Sequence, residues 1–253
     1  MKIVSWNVNG LRAIAQKGFL DYVFRESPDV LCLQEVKAFP EQVAEEFRSP
    51  KGYHSYWNSA QRPGYSGVAT FVKMPPKKVE LGIGNPRFDA EGRVLMTELD
   101  DFLLFNIYFP NGQKDETRLQ YKMDFYEALL VYCNKLRKQG RKLIVCGDYN
   151  TAHFAIDLAR PKENEETSGF LPIERAWMDK WVANGFVDTF RHFNKEPDHY
   201  SWWSYRANAR ANNVGWRIDY HFISDDLLPR LKKAYIQPET FGSDHCPVVL
   251  EIE

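Results

Sequence analysis

The sequence predicts an α/β protein built as a four-layer α-β-β-α sandwich, with two packed mixed sheets flanked by helices. Three observations predict it. Eight apolar segments bounded by Gly, Pro, Asn or Asp read as strands, and helix-period segments fall between them rather than in a separate block. Six short polar clusters stand at the ends of predicted strands: Asn7-Val8-Asn9-Gly10, Gln34-Glu35, Tyr108-Phe109-Pro110-Asn111, Gly147-Asp148-Tyr149-Asn150, Asp219-Tyr220-His221 and Ser243-Asp244-His245. The chain also shows a faint duplication, its strand ends carrying Asn7, Glu35 and Asn111 in the first half and Asp148, Asp219 and Asp244 in the second. Two sheets packed face to face, helices outside, would gather all six clusters at one end.

Segment 2–8 opens the chain with the alternation Lys2-Ile3-Val4-Ser5-Trp6, which reads as a strand and lacks the apolar core of a signal peptide. A helical pattern over Leu11–Arg25 leads to strand 29–36, and a shorter one over Pro40–Phe47 leads to a polar loop, 52–66. Strands 67–73, 94–99 and 102–109 follow. Leu119, Met123, Tyr126, Leu130 and Cys133 recur at four- and three-residue spacing and predict the longest helix, with Asp115 as its N-cap and Gly140 as its stop. Then come strand 142–148, loop 157–170, a helix over Ile173–Ala183 with Pro172 just before its first turn, loop 206–215, and strands 217–223 and 246–252. The three polar loops are long enough to be functional. No linker-like composition divides the chain, so residues 1–253 are expected to form a single catalytic domain.

Composition narrows the class. With 253 residues and 44% hydrophobic content the chain can bury a large core, and no apolar run is long enough to cross a bilayer. Cys32, Cys133, Cys146 and Cys246 lie scattered in apolar segments without CxxC or Cys/His spacing, as expected of buried free thiols in a reducing, intracellular compartment. The net charge of −1 favours neither nucleic acid nor acidic partners. Its distribution says more. The segment SWWSYRANARANNVGWR (201–217) carries Arg206, Arg210 and Arg217 among four aromatics and no acid, a mixture suited to a phosphate backbone plus a base or sugar.

The pooled clusters supply carboxylates, amides, a phenol and an imidazole. A hard cation takes oxygen ligands, and phosphate-ester hydrolysis also needs an oriented water and donors around the phosphoryl oxygens. Glu35, following the apolar run Val30–Leu33, is the best metal ligand; the alternative is a salt bridge to Lys37 or Arg12. Asp148 is the expected general base or water-orienting group, with Asn150 two residues on sharing its strand face. His245 is a phosphate-stabilising or proton-transfer group, provided that a carboxylate fixes its other nitrogen. Tyr108 and Asn111 would donate to phosphate oxygens, and Tyr108 as phenolate could instead assist the leaving group.

The segments WNVNGLRA (6–13), LCLQEVK (31–37), SGVATF (66–71), YFPNG (108–112), GDYNTAH (147–153), NVGWRIDY (213–220) and GSDHCP (242–247) resemble the signatures of the exonuclease III-type apurinic/apyrimidinic endonucleases, over nearly the whole chain. That family lies within the endonuclease/exonuclease/phosphatase superfamily. The resemblance implies that Glu35 holds Mg2+ or Mn2+ with Asn7, Asn9 and Asp244 nearby, and that Asp219 fixes His245. It also implies an apolar pocket for a flipped-out baseless sugar, walled by Trp202, Trp216 and Ile218 with Asn164 close by, and backbone or groove contacts from Lys114, Arg118 and Arg206. Two positions depart from some relatives, which carry Asp at Asn9 and Phe at Trp202. The implied activity is Mg2+-dependent incision of duplex DNA 5′ to abasic sites, leaving a 3′-hydroxyl, with 3′-to-5′ exonuclease, 3′-phosphatase or nucleotide-incision activity as companions. The implied partner is double-stranded DNA with abasic or other damage, met by a monomer in a cytoplasmic, nucleoid-associated setting. A superfamily phosphomonoesterase and a catalytically silent lesion-binding module are the alternatives.

Overall fold

The computed structural model describes residues 1–253. Fourteen strands are formed: β1 (Lys2–Asn7), β2 (Val30–Gln34), β3 (His54–Asn58), β4 (Val68–Val72), β5 (Lys78–Leu81), β6 (Val94–Leu99), β7 (Phe102–Tyr108), β8 (Lys142–Asp148), β9 (Phe186–Asp188), β10 (Trp202–Trp203), β11 (Gly215–Trp216), β12 (Asp219–Ser224), β13 (Leu231–Ile236) and β14 (Val248–Ile252). The helices are α1 (Leu11–Ala15), α2 (Phe19–Glu26), α3 (Glu45–Arg48), α4 (Pro86–Asp89), α5 (Glu116–Lys138), α6 (Pro172–Ala183) and α7 (Thr189–Phe193). Two six-stranded mixed sheets, ordered β13-β14-β1-β2-β4-β3 and β5-β6-β7-β8-β12-β9, pack face to face with helices outside, as the sequence predicts. Each has one parallel pair at its centre, β1 with β2 and β7 with β8, flanked by antiparallel strands. The duplication is therefore real in architecture, but it divides by sheet and not by chain half, because C-terminal β14 pairs with β1.

The period of two sorts each strand's residues into separate cores. Val4 and Trp6 of β1 pack with Phe19, Tyr22 and Val23 of α2, while Val145 of β8 packs with Phe125, Tyr126 and Leu129 of α5 and with Trp177 of α6. The alternate residues Ile3, Val30, Leu104, Ile144 and Leu250 meet between the sheets. Moving along the same inward-facing rows toward the other end, the side chains become polar. Gln34 Nε2 donates to Ser5 Oγ (3.0 Å) and to Asn106 Oδ1 (2.7 Å), and Asn106 Nδ2 reaches back to Ala69 O (2.9 Å) and Thr70 Oγ1 (3.1 Å), tying the two sheets together. The next inward positions are Asn7, Tyr108 and Asp148, at the rim.

Several elements differ from the sequence reading. The expected helix over Leu11–Arg25 is two helices, broken at Gly18, whose φ of 81° caps the second in the left-handed region. Pro40–Phe47 forms a 3-10 turn and the short α3. Loop 52–66 contains β3, an edge strand whose polar and aromatic composition hides the alternation; β5 and β13 are edge strands as well, guarded by Lys78, Lys232 and Lys233. Asp115 caps α5 as expected, accepting from Arg118 N at 2.8 Å, and the chain turns away at Gly140. Leu119 and Met123 are only partly buried on that helix, whereas Tyr126, Leu130 and Cys133 are fully packed. All four cysteines are free and buried. No helix is long and apolar enough to cross a membrane.

Asn106 satisfies polar groups of both sheets where water cannot reach, so Asn106→Leu is expected to destabilise the fold by about 1–3 kcal/mol. Urea unfolding checks this: the midpoint should fall with an unchanged slope.

Candidate active site

The rim of the sandwich collects the six clusters. Asn7, Tyr108 and Asp148 end β1, β7 and β8, and Glu35 follows β2 directly. The remaining two clusters lie at strand beginnings, not ends: Asp219 opens β12 and His245 precedes β14. Because these strands run antiparallel to β8 and β1, their beginnings share the same rim, and Asp219 pairs in register with Asp148. Asn9, Glu35, Lys37 and Asn150 all hold φ between 46° and 52°, left-handed values that non-glycine residues adopt at a cost and that concentrate here. Gly147 makes room for the approach of β8 to β7: a Cβ there would stand 1.8 Å from Ile107 O.

Two carboxylates flank one imidazole. His245 Nδ1 donates to Asp219 Oδ2 at 2.8 Å, that oxygen also accepts from Ser201 Oγ at 2.6 Å, and His245 Nε2 faces Asp148 Oδ2 at 3.9 Å. Burial opposes the charged imidazolium, but Asp219 and Asp148 outweigh it and hold the His245 pKa well above its usual range. Asp148 is driven upward, first by burial and then by the charges of Asp219 and Glu35, against the lowering influence of His245. Three donors converge on its carboxyl: Asn150 N on Oδ1 at 2.8 Å, and Asn7 Nδ2 (2.8 Å) and Asn150 Nδ2 (3.3 Å) on Oδ2. Asn7 Nδ2 also donates to Glu35 Oε1 at 2.9 Å, so one amide bridges two acids.

Glu35 forms the salt bridge to Lys37 weighed from the sequence, at 2.8 Å. Burial works against its charge, but Lys37 and Asn7 prevail and its pKa is lowered, leaving it ionised. One donor atom each from Glu35, Asp148 and His245 lies within 4.8 Å of the others. An ionised carboxylate at the mouth of a buried acidic cluster fits a hard, partly hydrated cation, which binds through one or two carboxylates and keeps several waters. In this arrangement His245 Nδ1 is engaged by Asp219 and Nε2 faces Asp148. The other three residues of the expected ligand set are hydrogen-bonded within the rim. Asn7 turns its NH2 toward the acids and its Oδ1 toward Asn9 N at 2.9 Å. Asn9 Oδ1 accepts from Lys37, and Asp244 accepts from Asn9 Nδ2 (2.9 Å) and Trp202 Nε1 (3.0 Å).

Other predicted residues also differ from expectation in detail. Asn150 does not share Asp148's strand face; it lies past the end of β8 in a left-handed turn and folds back, with Nδ2 also donating to Phe109 O at 3.0 Å. Asn111 is exposed on the rim and donates to Asn150 Oδ1 at 3.0 Å. Tyr108 is buried, with the Arg93 guanidinium 4.7 Å from its ring centre, and burial and then Glu35 push its pKa far upward. Arg118 is not a free cation: its guanidinium pairs with Glu91 at 2.8 Å and stacks 4.3 Å from the Tyr121 ring. Lys114 and Arg206 are exposed, and Asn164 Nδ2 is turned onto Arg160 O at 3.0 Å.

Trp202, Trp216 and Ile218 do come together, beside the imidazole. Trp202 and Trp216 meet edge to face at 6.4 Å, and the Trp202 ring lies 6.4 Å from that of His245. Ala152, Leu158 and Phe170 complete this apolar cluster. Sequence reasoning missed them, although Phe170 sits in an SGFLP run and Leu158 in a long loop. Two buried ion-pair networks hold the walls. Lys122 donates to Glu174 (2.6 Å), Asn150 O and Thr151 Oγ1 (both 2.8 Å), while Glu174 accepts from Ser168 Oγ, Gly169 N and Leu171 N around Phe170. Arg217, between Trp216 and Ile218, is fully buried against Asp157 (2.8 Å) and Asp188 (2.7 Å), and Arg191 joins Asp157 at 2.7 Å. The basic reading of 201–217 is corrected here. Arg217 is structural, Arg210 clamps the carbonyls of Ser243, Pro238 and Thr240, and only Arg206 is free for an anionic partner.

The profile of the Endonuclease/Exonuclease/phosphatase family matches residues 4–245. An exodeoxyribonuclease of Bacillus subtilis is 46% identical over 254 residues, covering 100% of this chain and 99% of the relative. The DNA repair nuclease APEX1 of Danio rerio is 42% identical over 253 residues, covering 99% of this chain and 81% of the relative. The solved structure of an AP endonuclease from Archaeoglobus fulgidus superimposes with a TM-score of 0.90 at 27% identity, covering 100% of this chain and 99% of that one.

Asp157 carries charge in a buried site where both arginines lower its pKa against the effect of burial. Asp157→Asn should therefore cost about 3–5 kcal/mol at neutral pH, as for one partner removed from a buried pair. The folded pKa lies below the unfolded value, so this contribution is present above about pH 4 and is lost as pH falls through the folded value. Denaturant midpoints for wild type and variant should converge on acidification.

Proposed function

The chain belongs to the endonuclease/exonuclease/phosphatase family and, within it, to the apurinic/apyrimidinic endonuclease and exodeoxyribonuclease group of DNA repair nucleases, and from that premise we propose that it incises duplex DNA on the 5′ side of an abasic site. A water oxygen attacks the phosphorus, the bond to the upstream 3′-oxygen breaks, and the products are a 3′-hydroxyl and a 5′-phosphate on the baseless sugar. Asp148 orients the water and accepts its proton, which its raised pKa makes it able to hold. His245, kept protonated by Asp219, donates from Nε2 to a nonbridging phosphate oxygen. Neutral Tyr108 and the Asn111 amide add donors, and the departing 3′-oxygen takes its proton from solvent. Glu35 would hold Mg2+ or Mn2+, which when bound supplies positive charge against the phosphate oxygens.

The observation that carries this reading is the abutment of the Asp148–His245–Asp219 group on the Trp202–Trp216–Ile218–Phe170 pocket, through the backbone bridge between Trp202 and His245. An apolar surface beside the imidazole suits a sugar without a base, whose extrusion from the duplex costs least because pairing is already lost. A phosphomonoesterase for polyanionic headgroups would need cations beside the imidazole, and the cluster there is apolar.

The primary test uses labelled duplexes that are intact, abasic or carry a single uracil, each in Mg2+ and in EDTA. Metal-dependent nicking at the abasic position with a 3′-hydroxyl end is expected; absence of cleavage on every duplex would overturn the proposal. Asp148→Asn should reduce incision by about 10²–10⁴-fold while lesion-strand retention stays near wild type. Glu35→Gln should raise the Mg2+ concentration needed for half-maximal rate, and an unchanged requirement would move the ligand elsewhere.

A further inference from the structure

Asp244 stands beside the proposed catalytic group yet is turned away from it. Its Oδ2 accepts from Trp202 Nε1 at 3.0 Å, its Oδ1 accepts from Asn9 Nδ2 at 2.9 Å and from Ser243 Oγ at 3.2 Å, and its backbone carbonyl accepts from Trp203 N at 3.0 Å. It is not among the residues whose donor atoms converge, Glu35, Asp148 and His245. The orientation of the Asn9 amide is set by chemistry as well as by distance: Lys37 Nζ takes its oxygen, so the NH2 must face Asp244. Lys37 in turn pairs with Glu35 at 2.8 Å, which closes a continuous chain from Glu35 to the indole of Trp202.

We propose that Asp244 is a positioning residue for the substrate pocket: with Asn9 it fixes the Trp202 indole as a wall beside His245, in place of serving as a cation ligand. The two side chains that flank it make this specific. Aspartate at position 9 would set carboxylate against carboxylate and remove the donor to Oδ1, and phenylalanine at position 202 has no N–H to offer Oδ2. Asn9, Asp244 and Trp202 therefore work as a set. The indole is only partly buried, so without this hydrogen bond its ring could turn about χ1 and χ2 and change the width of a recess that admits or rejects a base. The substrate part of this inference rests on the abasic-pocket reading; the positioning itself does not.

The test follows the Trp202 Nε1–H resonance in 15N-labelled, metal-free protein, assigned by its loss in Trp202→Phe. In Asp244→Ala it should move to the position of an indole without a carboxylate partner, and KM for an abasic duplex should rise roughly fivefold, the loss of one net hydrogen bond. In the Trp202→Phe background, Asp244→Ala should change KM no further, since the shared contact is already gone. Mn2+ affinity, read by electron paramagnetic resonance, should stay near wild type in Asp244→Ala and fall by about tenfold or more in Glu35→Gln. The exchange Asn9→Asp with Asp244→Asn reverses donor and acceptor while keeping net charge; it should restore KM and return the Trp202 Nε1–H resonance to a hydrogen-bonded position, distinct from that in Asp244→Ala, with an amide oxygen as the acceptor. A resonance unmoved in Asp244→Ala, or Mn2+ affinity falling there as far as in Glu35→Gln, would overturn the proposal. If wild type cut no abasic duplex while the resonance still responded, the substrate reading would fail and the positioning role would stand.

Discussion

Everything at the rim depends on the rows of side chains that the two sheets turn toward each other. Along β1 the inward residues are Ile3, Ser5 and Asn7; along β2, Val30, Cys32 and Gln34; along β7, Leu104, Asn106 and Tyr108; along β8, Ile144, Cys146 and Asp148. Each row passes from apolar to polar in the same direction, so the interface is dry at one end and hydrogen-bonded at the other. A slip of one residue in any strand would exchange inward for outward side chains and carry an acid into a helix-facing core. The polar end is tolerable only because its groups satisfy one another across the interface, with Asn106 and Gln34 as the crosslinks.

The same constraint explains the electrostatics. Asp148 and Asp219 are buried on neighbouring strands and Glu35 follows β2 at their edge, a space too enclosed for three bare carboxylates. The cluster resolves the conflict by unequal partnership. Asp219 has His245 and Ser201, Glu35 has Lys37, and Asp148 has amide donors, while the imidazole at 3.9 Å is primarily engaged elsewhere. The acid with the weakest compensation is the one best suited to accept a proton.

Stability and function share residues in the surrounding loops. Arg217 stands between Trp216 and Ile218 in sequence and anchors both through Asp157 and Asp188; Lys122 and Glu174 fix the turn after Asp148 and the Phe170 segment together. These buried charges bring no reactive group to the site. Their contribution is to hold irregular backbone, which has no ladder of its own, in a single conformation next to one that must not move.

Strand order within the chain, the capped α5, the burial of the thiols and the identity of the rim residues were all legible in the sequence, because period, capping chemistry and polar strand ends are local properties. The family segments added the pairing of His245 with Asp219, which spacing alone could not. Edge strands β3, β5 and β13 were hidden because an edge buries too little to impose alternation, and the break at Gly18 was hidden because apolar spacing continues across it. What only the tertiary structure decided is which charged groups are free. Arg118, Arg210 and Arg217 look alike in sequence to Arg206, yet their partners come from distant segments, and Asp244 meets Asn9 across 235 residues. A side chain's role depends on who satisfies it, and that is settled by contacts between segments, not by the segment that carries it.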